Sequence, residues 1–169
     1  TDLVKERALT LNEMRLESDT AGPAVLLRTT EKGYAEAPAD ESLSFPEGQF
    51  TIETRFKVGS TSQGYVTIVA KNNRAYAQIR NYCLLVQNSG QLYVDSLGQG
   101  ISTIASTPTP VVKLDQWAYV AVVFDAKNST ITYYVDGKQV HVHQGVVKIA
   151  ANDGPLYLGA SPPAQGWSG

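Results

Sequence analysis

Cationic side chains are concentrated in a stretch of the sequence that contains no acid. No aspartate or glutamate lies between Glu53 and Asp95, and the cations of this stretch are Arg55, Lys57, Lys71, Arg74 and Arg80. The planar guanidinium group of arginine can bind a carboxylate through two parallel hydrogen bonds. The pattern therefore predicts either an ordinary solvated basic surface or a site for an anionic sugar, such as a sialic or uronic acid.

Paired carboxylates, which glycoside hydrolysis requires, are not evident in the sequence. A retaining glycosidase holds its two carboxylates about 5–5.5 Å apart, and an inverting one about 6.5–9.5 Å apart. Glu53 is the only glutamate in a clearly patterned strand. Aspartates such as Asp95, Asp115 and Asp125 fall at predicted strand ends or turns, where aspartate usually has a structural role. We predict that the chain is not an enzyme, with a glycoside hydrolase as the less favoured alternative.

Metal and cofactor chemistry is only weakly indicated. His141 and His143 lie two apart in a predicted strand and so share a face, but no third ligand is evident nearby. Calcium needs about six to eight oxygen ligands, and the loop acids are scattered along the chain. Cys83 is the only cysteine and is predicted to be a small buried residue of a strand. We therefore predict no cofactor, and calcium is possible but unsupported.

Alternating residues indicate which side chains point away from the core. The run from residue 50 to 58 alternates apolar and polar residues, so Glu53 and Arg55 share its outer face. The same alternation in residues 118–124 and 130–135 turns further tyrosines outward, and tyrosine offers a sugar an apolar ring and a polar hydroxyl. The predicted ligand-binding residues are Glu53, Arg55, Tyr119, Thr132 and Tyr134, with Trp167 from the Gly/Pro-rich tail.

Other interpretations of the same residues remain open. The strands that carry them could belong to different sheets, or the tyrosines could simply cover sheet edges. Trp117 is expected to anchor the core, whereas Trp167 is the more exposed tryptophan and could equally pack as a plug.

The elements that must position these residues are short strands joined by turns. Hairpins are predicted around Asn88–Gly90 and at Asp136–Gly137, which is a strong type I′ turn signal. Residues 98–110 are predicted to form a long loop, residues 38–43 a short helical turn, and residues 3–16 either a helix or a strand. Strands are predicted at residues 50–58, 64–70, 82–87, 91–95, 117–125, 130–135, 138–143 and 155–159. Many short strands without helix alternation predict an all-β, antiparallel two-sheet sandwich.

Length and charge limit the remaining possibilities. The 169 residues suit one domain, 1–169, with residues 1–32 as an N-terminal segment that could supply an extra strand. A formal net charge of −2 argues against a nucleic-acid partner, and no apolar run is long enough to span a membrane. The first residues lack the layout of a secretion signal, so secretion would require a leader outside this sequence.

Several motifs, in order, carry a resemblance to a known family. They are GYAEAP (33–38) with ESL (41–43) and FTIE (50–53), then WAYVAVVFD (117–125), ITYYVDGK (131–138) and LYLG (156–159). Over residues 33–169 the chain resembles laminin-G-like, concanavalin-A-like jelly rolls. The "W-x-x-V-A-V-x-x-D" strand and the "Y-V-D-G" hairpin are the best-matched parts. These motifs have packing and turn roles, so they are more specific for fold than for function.

This resemblance implies a lectin-like module for glycan or glycoprotein recognition. Relatives occur beside glycosidases and sialidases, in adhesins and in extracellular-matrix proteins, and bind through a concave sheet face or rim loops, sometimes with calcium. Such relatives usually continue past a segment like Gly166–Gly169 into a terminal strand. We expect residues 8–16 to take that place here, because an unpaired sheet position would promote aggregation.

The sequence thus predicts a non-catalytic carbohydrate-binding or cell-adhesion module of a larger secreted or cell-surface protein. Its ligand would be a glycan, with an anionic glycan as one option, or a glycoprotein. A structural or protein-interaction domain that packs on a neighbouring catalytic domain is the alternative.

Overall fold

A computed structural model describes residues 8–17, 25–28, 33–60, 62, 64–73 and 76–159. Thirteen strands and one short 3₁₀ helix, Glu41–Leu43, are found in these residues. The strands are β1 (Thr10–Asn12), β2 (Met14–Glu17), β3 (Val25–Arg28), β4 (Tyr34–Ala37), β5 (Gln49–Phe56), β6 (Tyr65–Asn73), β7 (Tyr76–Gln87), β8 (Leu92–Gly98), β9 (Ile101–Ser106), β10 (Ala118–Asp125), β11 (Thr130–Val135), β12 (Lys138–Gln144) and β13 (Leu156–Leu158).

Two antiparallel sheets stack to form the sandwich, as the alternating pattern predicts. The larger sheet has the order β1-β4-β13-β6-β7-β8-β9, and the smaller sheet has the order β12-β11-β10-β5. Strands β2 and β3 pair separately as a two-stranded sheet. The predicted all-β, antiparallel two-sheet fold is confirmed.

Within the described part of the predicted segment 3–16, the chain forms strands rather than a helix. Strand β1 pairs with β4 at one edge of the larger sheet, with Leu11 opposite Ala35. That β1 replaces a terminal strand of relatives stays a prediction.

Apolar side chains from the two inner faces form one core. Phe50 and Phe124 of the smaller sheet stack with ring centroids 4.4 Å apart, and Phe50 lies 5.1 Å from the ring of Tyr82 on the larger sheet. Val120 and Leu84 are fully buried within the same cluster. This aromatic contact joins the sheets and leaves the residues of opposite parity on the outer faces.

One predicted loop is wrong, because residues 101–106 form strand β9. The composition of this segment is typical of a loop, yet Thr103 and Ala105 turn inward and are buried. The Thr103 hydroxyl donates to the carbonyl of Lys148 over 2.7 Å, which satisfies its buried polar atom. Small side chains are suitable here because the segment 145–155 packs against this end of the sheet.

Two turns have the backbone geometry that their residues predict. Asp136 and Gly137 have φ values of 49° and 77°, as a type I′ hairpin turn requires. Gly90 has a φ of 89°, and a Cβ atom added there would lie 2.2 Å from the carbonyl oxygen of Val112. Glycine is therefore needed at position 90 for both its conformation and its lack of a side chain. Among the described residues, no helix has the length and apolar character of a membrane span.

Candidate ligand-binding surface

The strand register brings five of the six predicted site residues onto the outer face of the smaller sheet. Arg55 lies directly opposite Tyr119, and Glu53 lies opposite Ala121, which in turn lies opposite Tyr134. Thr132 occupies the next row, opposite Val123. The interpretation that these strands belong to different sheets is therefore wrong. We call this surface, made of Glu53, Arg55, Lys57, Trp117, Tyr119, Thr132 and Tyr134, the four-stranded face; Trp167 lies outside the described residues.

A cation–π cluster forms one end of the four-stranded face. The guanidinium carbon of Arg55 lies 4.7 Å from the ring centroid of Trp117, and the Nζ atom of Lys57 lies 6.0 Å from it. Trp117 is 39% exposed, so the prediction that it anchors the core is wrong. Trp117 has the same parity as Tyr119, two residues further along, and this signal in the sequence could have assigned it to the outer face.

Arg55 forms no ion pair among the described residues, and Lys57 has only a longer-range electrostatic interaction with Asp115. Arg55 and Lys57 make no salt bridge there, and both side chains are exposed. The position of Arg55 over the Trp117 ring is a favourable cation–π contact, and the Arg55 side chain remains exposed to solvent. This end of the surface can therefore accept an external anion without breaking an internal ion pair.

A hydrogen bond between Tyr119 and Glu53 forms the neighbouring part of the surface. The Tyr119 hydroxyl donates to Glu53 Oε2 over 2.9 Å, and this bond is the main cause that raises the pKa of Tyr119. Asp136 accepts a hydrogen bond from the backbone N–H of Tyr119 over 3.0 Å, which fixes this end of β10 to the hairpin turn. Glu53 therefore keeps free acceptor positions directed to solvent, next to a protonated phenol.

The outer face of the larger sheet carries similar side chains in a buried setting. We call it the seven-stranded face and define it by Tyr65, Thr67, Arg80, Cys83, Tyr93 and Asp95. Asp95 is fully buried, forms an ion pair with Arg80, and accepts a hydrogen bond from the Cys83 thiol over 2.9 Å. Burial raises the pKa of Asp95, against the opposing effect of Arg80, and raises the pKa of Cys83 well above its usual value.

Two predictions about this region are wrong. Asp95 was predicted at a strand end or turn, yet it lies within β8 and forms an ion pair in a buried environment. The basic stretch is not one solvated surface, because Arg80 and Lys71 are buried. The ammonium group of Lys71 donates to the carbonyl oxygens of Asn152 and Gly154, each over 3.0 Å. Only Arg55 and Lys57 of the described cations in this stretch face the solvent on a sheet surface.

Aromatic residues cover part of the seven-stranded face. Tyr65 and Tyr93 meet edge to face with centroids 5.3 Å apart and pack over the buried side chains of Ala70, Cys83 and Leu85. Burial, followed by the charge of Asp95, raises the pKa of Tyr93 to about 12. This face is thus part of the packed structure.

Metal ligands do not cluster in the described part of the chain. No group of three or more histidine, cysteine or acidic side chains is placed to hold an ion there. His141 lies beside the buried Tyr133, with ring centroids 5.9 Å apart. The two histidines are therefore partly covered residues of β12 that alternate toward the inner side of the sheet.

The fold and the exposed surface define the class of protein: an antiparallel jelly roll with polar and aromatic side chains on an exposed sheet face. Comparison with known families supports this class. The family model described as the concanavalin A-like lectin/glucanases superfamily, of laminin-G type, matches residues 29–169. The chain belongs to this superfamily, which confirms the resemblance seen in the sequence. No curated protein matches the sequence.

Solved structures share the fold at low sequence identity. The CBM40 domain of the Ruminococcus gnavus IT-sialidase, bound to α2,3-sialyllactose, is 16% identical with a TM-score of 0.58, and the match covers 68% of this chain and 64% of that one. The carbohydrate-binding module CBM66 from Bacillus subtilis is 13% identical with a TM-score of 0.52, over 89% of this chain and 87% of that one. The binding domain of botulinum neurotoxin DC, in complex with rat synaptotagmin II, is 10% identical with a TM-score of 0.62, over 90% and 38%.

Proposed function

We propose that this chain is a non-catalytic carbohydrate-binding or adhesion module that binds an anionic glycan through the four-stranded face. One observation carries the proposal: Arg55 lies over the ring of Trp117 and is exposed to solvent, beside the exposed acceptor Glu53. An ordered cation without an internal partner is suited to an external carboxylate. In this proposal the ligand-binding residues are Glu53, Arg55, Tyr119, Thr132 and Tyr134, joined by Trp117.

Each group has a distinct role in the proposed complex. Arg55 would bind the sugar carboxylate through two hydrogen bonds, because both donors lie on one edge of its plane. Glu53 would accept hydrogen bonds from sugar hydroxyls, and charge-assisted bonds of this kind are stronger than neutral ones. The ring of Tyr134 would contact the apolar face of a pyranose.

The partners of two acids on the described sheet faces support a binding role over hydrolysis. Glu53 has Tyr119 as its partner on this surface, and the buried Asp95 is paired with Arg80. Neither arrangement resembles two carboxylates across a scissile bond.

Structural relatives support the same class of function. Two of them are carbohydrate-binding modules, and one of these comes from a sialidase and is bound to a sialylated sugar. We further propose that residues 1–169 form one domain of a larger secreted or cell-surface protein, with neighbouring domains and a glycan or glycoprotein as partners.

A glycan array with and without calcium tests this proposal. Arg55→Ala is expected to weaken binding of a carboxylated glycan roughly 10- to 100-fold, the cost of a hydrogen bond to a charged group. Tyr134→Ala is expected to weaken it as well. Lys127→Ala, which removes an exposed cation from the β10–β11 turn, is the matched control and should bind normally.

Two results would change the interpretation. Silence of the folded protein across the array, both with and without calcium, would reject glycan binding and favour a structural or protein-interaction domain. Release of sugar products from any glycan by the purified protein would restore the glycosidase alternative.

A further inference from the structure

We infer that carboxylates around Arg55 and Lys57 limit the ligand to a sugar that carries a single carboxylate, with Glu53 and Asp136 as the specificity-determining residues. This inference rests on the proposed function and concerns the same face. It distinguishes a monocarboxylated sugar from a polysulfated chain, although both are anionic glycans.

The two cations lie within a frame of three acids. Glu53 precedes Arg55 by two residues on the same face of β5 and is tied to Tyr119 instead of Arg55. Asp136 binds the N–H of Tyr119 on the opposite side of β10 from Arg55. Beyond Lys57, Asp115 accepts a hydrogen bond from the backbone N–H of Ser60 over 3.0 Å.

Glu53 opposes polyanions more strongly than it opposes a single carboxylate. It is the acid on the same strand face as Arg55, two residues away, so an anion bound by Arg55 also meets the repulsion of the Glu53 carboxylate. Residues two apart on a strand lie about 7 Å from each other. At that distance one solvated charge changes the affinity for another about threefold, and the change multiplies for each further charge on the ligand. A chain with several sulfates therefore loses more from Glu53 and Asp136 than a sugar with one carboxylate.

Glu53 and Asp136 differ in how they can affect a bound ligand. Glu53 has free acceptor positions on the binding surface, so its carboxylate both repels anions and accepts sugar hydroxyls. Asp136 lies on the far side of β10 from Arg55, so its carboxylate acts on an anion at Arg55 through its charge and over a longer distance than Glu53 does. Asparagine preserves that position, because Asn-Gly is a preferred type I′ turn and tolerates a positive φ.

The experiment measures affinities of the whole chain for 3′-sialyllactose and for heparin at low ionic strength. The wild-type protein should prefer 3′-sialyllactose, which has one carboxylate. Asp136→Asn should raise the ratio of heparin affinity to sialyllactose affinity about twofold, because Asp136 lies two strand spacings, roughly 10 Å, from Arg55. Glu53→Gln should raise this ratio further, since it also removes a charged acceptor of the sugar hydroxyls. Glu41→Gln makes the same change of charge in the 3₁₀ helix and should leave the ratio unchanged.

The failure of this inference is distinct from the failure of the proposed function. A wild-type protein that prefers heparin would overturn the selectivity while leaving anionic-glycan binding intact. The selectivity would also be overturned if the ratio of heparin affinity to sialyllactose affinity stayed constant in both variants while Arg55→Ala still weakened binding. No binding of any glycan by the wild-type chain would overturn both.

Discussion

The outer faces of the two sheets carry the same types of side chain in opposite environments. The four-stranded face presents Arg55, Glu53 and Tyr119 to solvent, whereas the seven-stranded face encloses Arg80, Asp95 and Tyr93. On the buried face Arg80 forms an ion pair with Asp95, so its charge is not available to an external ligand. On the exposed face the arginine stacks on a ring and has no acidic partner among the described residues. Burial and pairing, more than residue type, therefore separate a structural cluster from a candidate binding surface.

The largest difference in stability between variants of the two faces is expected when one partner of the buried Arg80–Asp95 pair is removed. Asp95→Ala should lower the free energy of unfolding by about 3–5 kcal/mol, because the buried Arg80 charge would lose the carboxylate with which it forms an ion pair. Urea denaturation at neutral pH measures this loss. Arg55→Ala is the counterpart on the exposed face and should cost about 1 kcal/mol or less. Equal losses of unfolding free energy for the two variants would show that burial does not distinguish the two faces.

Chemical modification should be strongly suppressed on the seven-stranded face. Cys83 is buried and donates to Asp95, and its raised pKa keeps the thiol protonated. Because thiolate is the reactive form, iodoacetamide should react at least about a hundredfold more slowly with the native protein than with the urea-unfolded chain. Mass spectrometry of timed samples provides the rates. Similar rates in both states would show that this face is open.

Alkaline pH should destabilise the fold through Tyr93. The unfolded chain loses the tyrosine proton near pH 10, whereas the folded chain holds it to a pKa of about 12. The resulting contribution to stability is complete below pH 10 and is lost as the pH rises through 12. Because Tyr93 is only partly buried, solvent screening keeps this contribution below about 3 kcal/mol.

Comparison with tyrosine-to-phenylalanine variants checks this assignment. Tyr93→Phe should reduce the fall in unfolding free energy between pH 10 and 12. Tyr119→Phe on the exposed face should change that fall less, since the pKa of Tyr119 is raised mainly by the bond to Glu53. A larger effect at Tyr119 would contradict the account.

The smallest effect on stability is expected for Trp117. Trp117→Ala removes the stack with Arg55 but little core packing, so the free energy of unfolding should fall by about 1 kcal/mol or less. Its effect on glycan binding should be larger, because Arg55 loses its fixed orientation. A loss of several kcal/mol in thermal or urea unfolding would show that Trp117 has the role of a core residue.

The fold followed from the sequence because alternation and turn chemistry are local signals. Residues 50–58 fix which side of β5 enters the core, and Asp136–Gly137 fixes the β11–β12 hairpin. Strand β9 was missed because its inward side chains, Thr103 and Ala105, are small and its composition is typical of a loop. Local sequence does not report that the segment 145–155 packs there and favours such small residues.

The candidate surface was predictable only in part. Parity placed Tyr119 and Tyr134 on one face, and applied two residues earlier it would have placed Trp117 there too. Parity also gives an outer face to Asp95, yet that residue is buried with Arg80, which lies 15 positions earlier in the chain. Whether an outer face is exposed or covered depends on tertiary packing, which period-two alternation does not encode.

The most direct test is an NMR titration of the ¹⁵N-labelled chain with 3′-sialyllactose. We expect the amide and side-chain signals that shift to cluster on β5, β10 and β11 around Arg55, Trp117 and Tyr134. Signals of Tyr93 and Asp95 should stay in place. Shifts that cluster on the seven-stranded face, with the surroundings of Arg55 unchanged, would contradict the central claim.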